Sequence, residues 1–440
     1  MTPEQKRYTL AQISPLLGDL TSNFDALEFP DVKLPDLQNE VIPPTFKMVK
    51  LPDWAAGLCP NGEVLVPTCS TKGFANHYSS VDWIAACFWF LTARAERAYE
   101  EQNGSVHSYA FRLRGWDPRH WDRPWVNYIA LFLRHSLLKK LEITEQSLNY
   151  PLPKPEIIMT HDVDAVEKTI PIRLKQAAFL GFNSILLMRK GQFFLALKKA
   201  IESLHFLVSK DNYWCFPAHI AAEDELGTRS VFNFYGGSAA NITSCQKWLM
   251  DPGYDVAHPK ITKLIKELVS KNWEIGLHQS YFSWENADQM RAEKEHLERA
   301  GGLRVRTCRQ HWLRFAFNKT WLAQEKAGFE LDMTIGFNDR PGFRLGSALE
   351  ISPWNQKTKK AMKIRIIPMI LMDSHLHDYQ NLSEQRQKEE IQNWCQLIRR
   401  SYGKASIIWH QRTISKDYGW KVSWNAALKE VSCDRQPVSE

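Results

Sequence analysis

Two patterns of apolar spacing divide the chain. From residue 156 onward, short apolar runs alternate with segments whose apolar positions recur every three or four residues. The runs Glu156–Thr160, Ser230–Phe234, Trp273–Leu277, Leu303–Thr307, Phe329–Met333, Ile364–Leu371 and Ala405–Trp409 predict strands. Pro259–Lys271, Glu285–Ala300, Asn318–Ala327 and Ser383–Tyr402 predict helices between them, the second with Ser283 as its N-cap and Gly301-Gly302 as its stop. Strands alternating with helices over about 280 residues imply parallel βαβ units, hence a doubly wound sheet or a barrel. Before residue 150 the strand signal is weak, and Val81–Gln102 and Val126–Leu141 predict helices. Pro151, Pro153 and Pro155 stop any helix and mark a boundary. The expected organisation is an accessory unit over 1–150, an α/β unit over 151–432 and a polar tail over 433–440.

With 440 residues, 44% of them apolar, the chain has ample material for a buried core, and its composition excludes collagen-like, low-complexity and small disulfide-framework classes. A net charge of +7 spread over this length, without a long basic run, points away from nucleic acid. No GxGxxG or GxxxxGK[ST] is present, so no nucleotide phosphate site is indicated. The start lacks a signal-peptide pattern, and the most lipophilic stretch, Val81–Ala93, is shorter than the ~20 apolar residues of a membrane span. Eight cysteines without a CxxC pair fit reduced thiols, and the expected location is cytoplasmic. The 17 tryptophans mostly serve packing. The passage Arg112–Trp125, in which four arginines interleave with Trp116, Trp121 and Trp125, either stacks on anionic glycans or packs with arginine stems over its indoles.

Chemistry gathers where the predicted strands end. His161-Asp162-Val163-Asp164 follows the first, His278-Gln279-Ser280-Tyr281 the third, and Arg309-Gln310-His311-Trp312 the fourth. Asp332, Asp373 and His410 close later ones, and His375 and His377 follow Asp373 on what reads as a solvated loop or pocket wall. In α/β barrels these ends build the active site. Asp162 and Asp164 sit two apart, so in extended chain they face one side. One can hold a divalent metal while the other acts as base, with His278 and His311 offering nitrogen ligands suited to zinc. Tyr281, Trp312, Asp332 and Asp373 are candidates for substrate contacts.

The segments Thr160–Asp164, Glu274–Ser280 (EIGLHQS), Arg309–His311 and Ile407–His410 together resemble the motifs of the polysaccharide deacetylase superfamily (NodB homology, carbohydrate esterase family 4), over roughly residues 156–412. Phrases such as Asp82–Glu96, Arg309–Phe315 (RQHWLRF) and Pro368–Asp373 resemble a divergent subgroup with an extra N-terminal region. The resemblance implies a distorted (β/α)7-type barrel with an N-terminal mixed, largely helical α+β domain. It implies metal-dependent hydrolysis, most simply with Zn²⁺, of acetyl groups on an N-acetylated sugar or surface-polysaccharide precursor. Residue by residue, Asp162 matches the general base, Arg309 the residue orienting it, Asp164 and His278 metal ligands, and His410 the general acid. The chain departs from the family four residues after His278, where Phe282 stands in place of the second metal histidine. His311 is then the candidate third ligand, with His161 behind it. A degenerate barrel that binds or helps assemble polysaccharide is the alternative. An enzyme acting on a non-polymeric amide or a lipid-linked sugar is another.

Overall fold

The computed structural model describes residues 1–73, 76–237 and 245–433. The expected tail lies, from residue 434 on, outside the described residues. In the first 150 residues, helices α1 (Pro3–Leu17), α2 (Trp83–Leu91), α3 (Arg94–Asn103) and α4 (Trp125–Leu141) accompany a two-stranded antiparallel sheet, β1 (Phe46–Lys50) with β2 (Glu63–Pro67). The single helix expected over Val81–Gln102 is broken. The Thr92 hydroxyl donates back to Phe88 O at 2.6 Å, and Ala93 takes a left-handed φ of +47°, which turns α3 away from α2.

The remaining strands are β3 (Glu156–Val163), β4 (Val231–Tyr235), β5 (Glu274–Gln279), β6 (Thr307–Gln310), β7 (Leu331–Asp332), β8 (Trp354–Asn355), β9 (Lys360–Ala361), β10 (Arg365–Ile366), β11 (Met369–Met372) and β12 (Lys404–Ile408). Eight of them form one sheet in the order β10-β7-β6-β5-β4-β3-β12-β11, with every neighbouring pair parallel. Helices α5 (Ile170–Arg189), α6 (Phe193–Val208), α7 (Phe216–Glu225), α8 (Cys245–Met250), α9 (Pro259–Ser270), α10 (Ala287–Gly301), α11 (Thr320–Lys326), α12 (Glu384–Arg400) and α13 (Lys421–Cys433) fill the crossovers and the C-terminus. The fold is α/β, a curled (β/α) barrel.

Closure follows from one proline. Ile364–Leu371 reads as a single strand, but Pro368 has no N–H and divides it into β10 and β11, which lie at opposite ends of the sheet order. Ile366 and Met369 are only three Cα steps apart, about 11 Å at most. The sheet must therefore curl until its edges nearly meet. Ile367 N donates to Asp332 O at 3.0 Å and Ser406 N to Pro368 O at 2.8 Å, tying the seam to both sides.

Two further expectations are corrected by hydrogen bonding. The strand expected at Leu303–Thr307 forms at Thr307–Gln310, because Gly302 N, Leu303 N and Val305 N are all taken up by Glu298 at the end of α10. The N-cap of α10 is Asn286, whose side chain accepts from Gln289 N at 3.0 Å, while the Ser283 hydroxyl donates to Ser280 O.

The N-terminal elements share one continuous apolar core with the barrel. Tyr8 lies against Trp354, and Trp121 against Phe337. Buried Arg97 donates to Asn318 Oδ1 and Phe317 O, buried Arg344 pairs with Glu96 at 2.8 Å, and Asn127 bonds Ala348 N and Ser401 O. Trp116, Trp121 and Trp125 are buried in this layer, with the Arg340 guanidinium 5.1 Å from the Trp121 ring, so no indole of the Arg112–Trp125 passage is offered to a glycan. Among the described residues, no disulfide is formed. Among the described residues, no helix is long and apolar enough to cross a membrane.

Candidate active site

Alternation along β3 sends Asp162 and Asp164 to the same side, into a cavity at the C-terminal ends of β3, β5, β6, β11 and β12. It has about 830 Å³ of open volume, counting its solvent-filled mouth. Asp162 is buried, accepts from Asn233 Nδ2 at 2.9 Å and pairs with Arg309 Nε at 3.3 Å. Arg309 is held in turn by the Thr160 hydroxyl at 2.9 Å. Gly276 on β5 makes room for this arrangement, since a Cβ there would stand 2.2 Å from Asn233 Oδ1.

Asp164 meets three imidazoles. Its Oδ1 faces His278 Nε2 at 3.1 Å and His311 Nε2 at 3.6 Å, and its Oδ2 faces His410 Nε2 at 3.6 Å and contacts the Arg412 guanidinium. Burial pushes this carboxyl up, but Arg412 and the imidazoles outweigh it and hold the group well below the usual carboxylate range. His278 Nδ1 lies 3.2 Å from Arg309 O, and a carbonyl only accepts, so Nδ1 carries the hydrogen. Nε2 is the atom left to face Asp164. His311 turns its Nδ1 towards Asp251 Oδ1, which at 3.6 Å is beyond hydrogen-bond distance, and burial holds the ring below its ordinary value. Asp164, His278 and His311 thus bring one ligand atom each within 4.8 Å of one another. A carboxylate oxygen beside two imidazole nitrogens, one ring oriented from behind by the Arg309 carbonyl, is a donor set that fits a zinc-like cation.

His410 stands across the same carboxylate. Its Nδ1 donates to Asp373 Oδ1 at 2.7 Å and its backbone N to Asp373 Oδ2 at 2.8 Å. Burial works against the charged ring, but Asp373 and Asp164 together hold it up to about 9.

Of the residues singled out from the sequence, Asp162, Asp164, His278, His311, Trp312 and His410 line one cavity. Arg309 sits behind Asp162. Asp373 is fully buried behind His410 and bonded to the Thr413 hydroxyl, so it orients an imidazole instead of meeting a substrate. Asp332 is fully buried, accepts from Trp321 Nε1 and Gln324 Nε2, and does not line the cavity. Tyr281 is outside the lining too, its ring covered by the Arg314 guanidinium at 4.2 Å. His161 faces the other side of the sheet. His375 is buried and His377 stacks on Trp420 at 4.3 Å, so neither is on a solvated loop or in the cavity wall. The sequence reasoning missed Lys175, Phe179, Asn338, Asp378, Tyr379 and Arg412. Only Arg412, two residues after His410, carried a readable signal.

No protein-family model matches the chain, and no curated protein does. Solved structures with partly similar folds include a protein provisionally assigned as a polysaccharide deacetylase from Mycobacterium smegmatis (TM-score 0.37, 16% identity, covering 64% of this chain and 84% of that one). A CE4 family pseudoenzyme from Bacillus anthracis overlaps with a TM-score of 0.27 at 10% identity, over 64% of this chain and 61% of that one. A mutant of that pseudoenzyme with restored enzymatic activity gives 0.29 at 11%, over 64% and 63%.

Proposed function

We propose that the chain is a metal-dependent hydrolase that removes acetyl groups from an N-acetylated sugar or a surface-polysaccharide precursor. The observation that carries this reading is the convergence of Asp164, His278 and His311 beside a second, separately held carboxylate, Asp162. A divalent ion such as Zn²⁺ held by the first three residues would supply Lewis acidity, acidifying water and polarising a carbonyl. Asp162, fixed by Arg309 and Asn233, takes the proton of the attacking water. His410, kept protonated near neutral pH by its two carboxylates, gives a proton to the departing amine, which leaves badly as an anion. Trp312, Phe179 and Tyr379 line the cavity with flat faces suited to a sugar ring. In this reading residues 151–432 form the catalytic unit, and residues 1–150 are an accessory layer packed on it.

The contact of Arg412 with Asp164 favours a second reading, in which a guanidinium neutralises the carboxylate and the barrel binds or helps assemble polysaccharide without hydrolysing it. The test is acetate release from N-acetylated oligosaccharides by zinc-loaded protein. Activity in the wild type, reduced about 10²–10⁴-fold in Asp162→Asn, is expected for the hydrolase. Binding of the same sugars by zinc-loaded wild type without acetate release decides for the second reading.

A further inference from the structure

The α5–α6 hairpin turns its large apolar side chains outward. On α5, Ile170, Leu174, Phe182, Ile185 and Met188 are exposed at helical spacing along one face. On α6, Phe193, Phe194, Leu197, Ile201, Leu204 and Val208 do the same, Phe194 being 93% exposed. The seam between the two helices is made of small and hydroxyl residues: Ser184 Oγ donates to Ala196 O and Ser203 Oγ to Ala177 O, each at 2.7 Å, and Gly181 lies beside Ser203. An ordinary surface hairpin would have the reverse pattern, with large apolar groups inside and polar groups outside.

Charge indicates what covers this face. Residues 170–208 carry six cations (Arg173, Lys175, Arg189, Lys190, Lys198 and Lys199) against one carboxylate, Glu202. That is a net +5 within a chain whose total is +7. Arg189 and Lys190 are exposed at the hairpin tip, next to Phe193 and Phe194, and Lys198 is exposed between Leu197 and Ile201. Neither helix is long and apolar enough to span a bilayer. Outward apolar stripes bordered by cations fit a helix pair that lies in an interface. The inner end of the hairpin reaches the active-site cavity, whose wall includes Lys175, Gln176 and Phe179.

We propose that the α5–α6 hairpin docks into the surface of an anionic phospholipid bilayer, its apolar stripes at the acyl boundary and its tip cations on headgroup phosphates, so that the cavity it lines works beside the membrane. This inference stands on the hairpin alone and holds whether or not the cavity hydrolyses an acetyl group.

The test is co-sedimentation of the full chain with vesicles of phosphatidylcholine, with and without phosphatidylglycerol, at low and high salt. The wild type is expected to sediment with the phosphatidylglycerol vesicles, less so as salt screens the cations. Phe194→Asp should weaken binding about tenfold or more, and Arg189→Ala with Lys190→Ala severalfold. Leu197→Gln gives an independent apolar variant if Phe194→Asp does not fold. Failure of the wild type to sediment at low salt overturns the proposal, as does sedimentation that these substitutions leave unchanged. A wild-type dimer that Phe194→Asp splits into monomers, with no vesicle binding, assigns the face to a second copy of the chain and equally overturns it.

Discussion

His161 and Asp162 are adjacent on β3, and the alternation of a strand sends them to opposite faces of the sheet. Each joins a cluster of imidazole and carboxylate whose ligand atoms lie within 4.8 Å, His161 with His219 and Glu223, and Asp162 beside the group formed by Asp164, His278 and His311. On the outer face His161 and Glu223 are saturated, and His219 Nδ1 is left buried without a partner. His161 donates to Trp409 O at 2.8 Å and to Glu223 Oε1 at 3.0 Å, and His219 Nε2 donates to Gln411 O. Burial pushes the Glu223 carboxyl up, but His161, Ser230 and Trp273 donate to it and hold it below its usual value. On the inner face the Nε2 atoms of His278 and His311 converge on one carboxylate, and the cavity lies open to them. Proximity of ligand-type residues is common to both clusters, and access from an open cavity is what distinguishes the inner one.

The comparison is broken most directly by metal uptake. Zinc titration should give about one ion per chain, lost completely in Asp164→Ala and His278→Ala and retained in Glu223→Gln. Loss in Glu223→Gln with retention in Asp164→Ala would reverse the roles of the two clusters. Next in size is stability. Glu223→Ala leaves a buried His161 donor and three further donors (Ser230 N, Ser230 Oγ and Trp273 Nε1) without an acceptor and should cost ~3–5 kcal/mol by urea denaturation. Cavity-facing His278→Ala, measured without metal, should cost distinctly less. The smallest effect comes from Glu293, a buried carboxyl that receives Ser280 N at 3.0 Å behind the inner cluster. Burial pushes it up to about 7, against the bonds from Ser280 and Gln289. Its folded value lies above its unfolded one, so its stabilisation is complete below about pH 4.5 and is lost as pH rises through about 7. Stability should therefore decline by roughly 3 kcal/mol at most across that window, and Glu293→Gln should flatten the profile.

The strand-end residues were legible because a period of two and a period of 3.6 are written directly into the chain. Thr160–Asp164, His278, Arg309–Trp312 and His410 could all be assigned to one end of one sheet before any geometry was known. Asp332 and Asp373 carried the same strand-end signal, yet one is saturated by Trp321 and Gln324 and the other is turned behind His410. Nothing in the order of residues separates a carboxylate that faces a cavity from one that faces a tryptophan. The hairpin shows the same limit. Apolar positions at helical spacing do not say which side of a helix faces the protein, and only the seam of Ser184, Ser203 and Gly181 reveals that the apolar faces point outward.

By itself, then, the sequence determined the alternation of strands and helices, the parallel sheet, and the set of groups able to do chemistry at its C-terminal end, because these depend on local periodicity and short spacing. Tertiary structure alone decided that Pro368 folds one apolar run into both edges of a nearly closed barrel. It also decided that His311 stands beside Asp164 and His278, and that the first 150 residues share the barrel's core. Each of these depends on which distant residue fills a given volume or accepts a given hydrogen, and packing settles that only when the whole chain is in place.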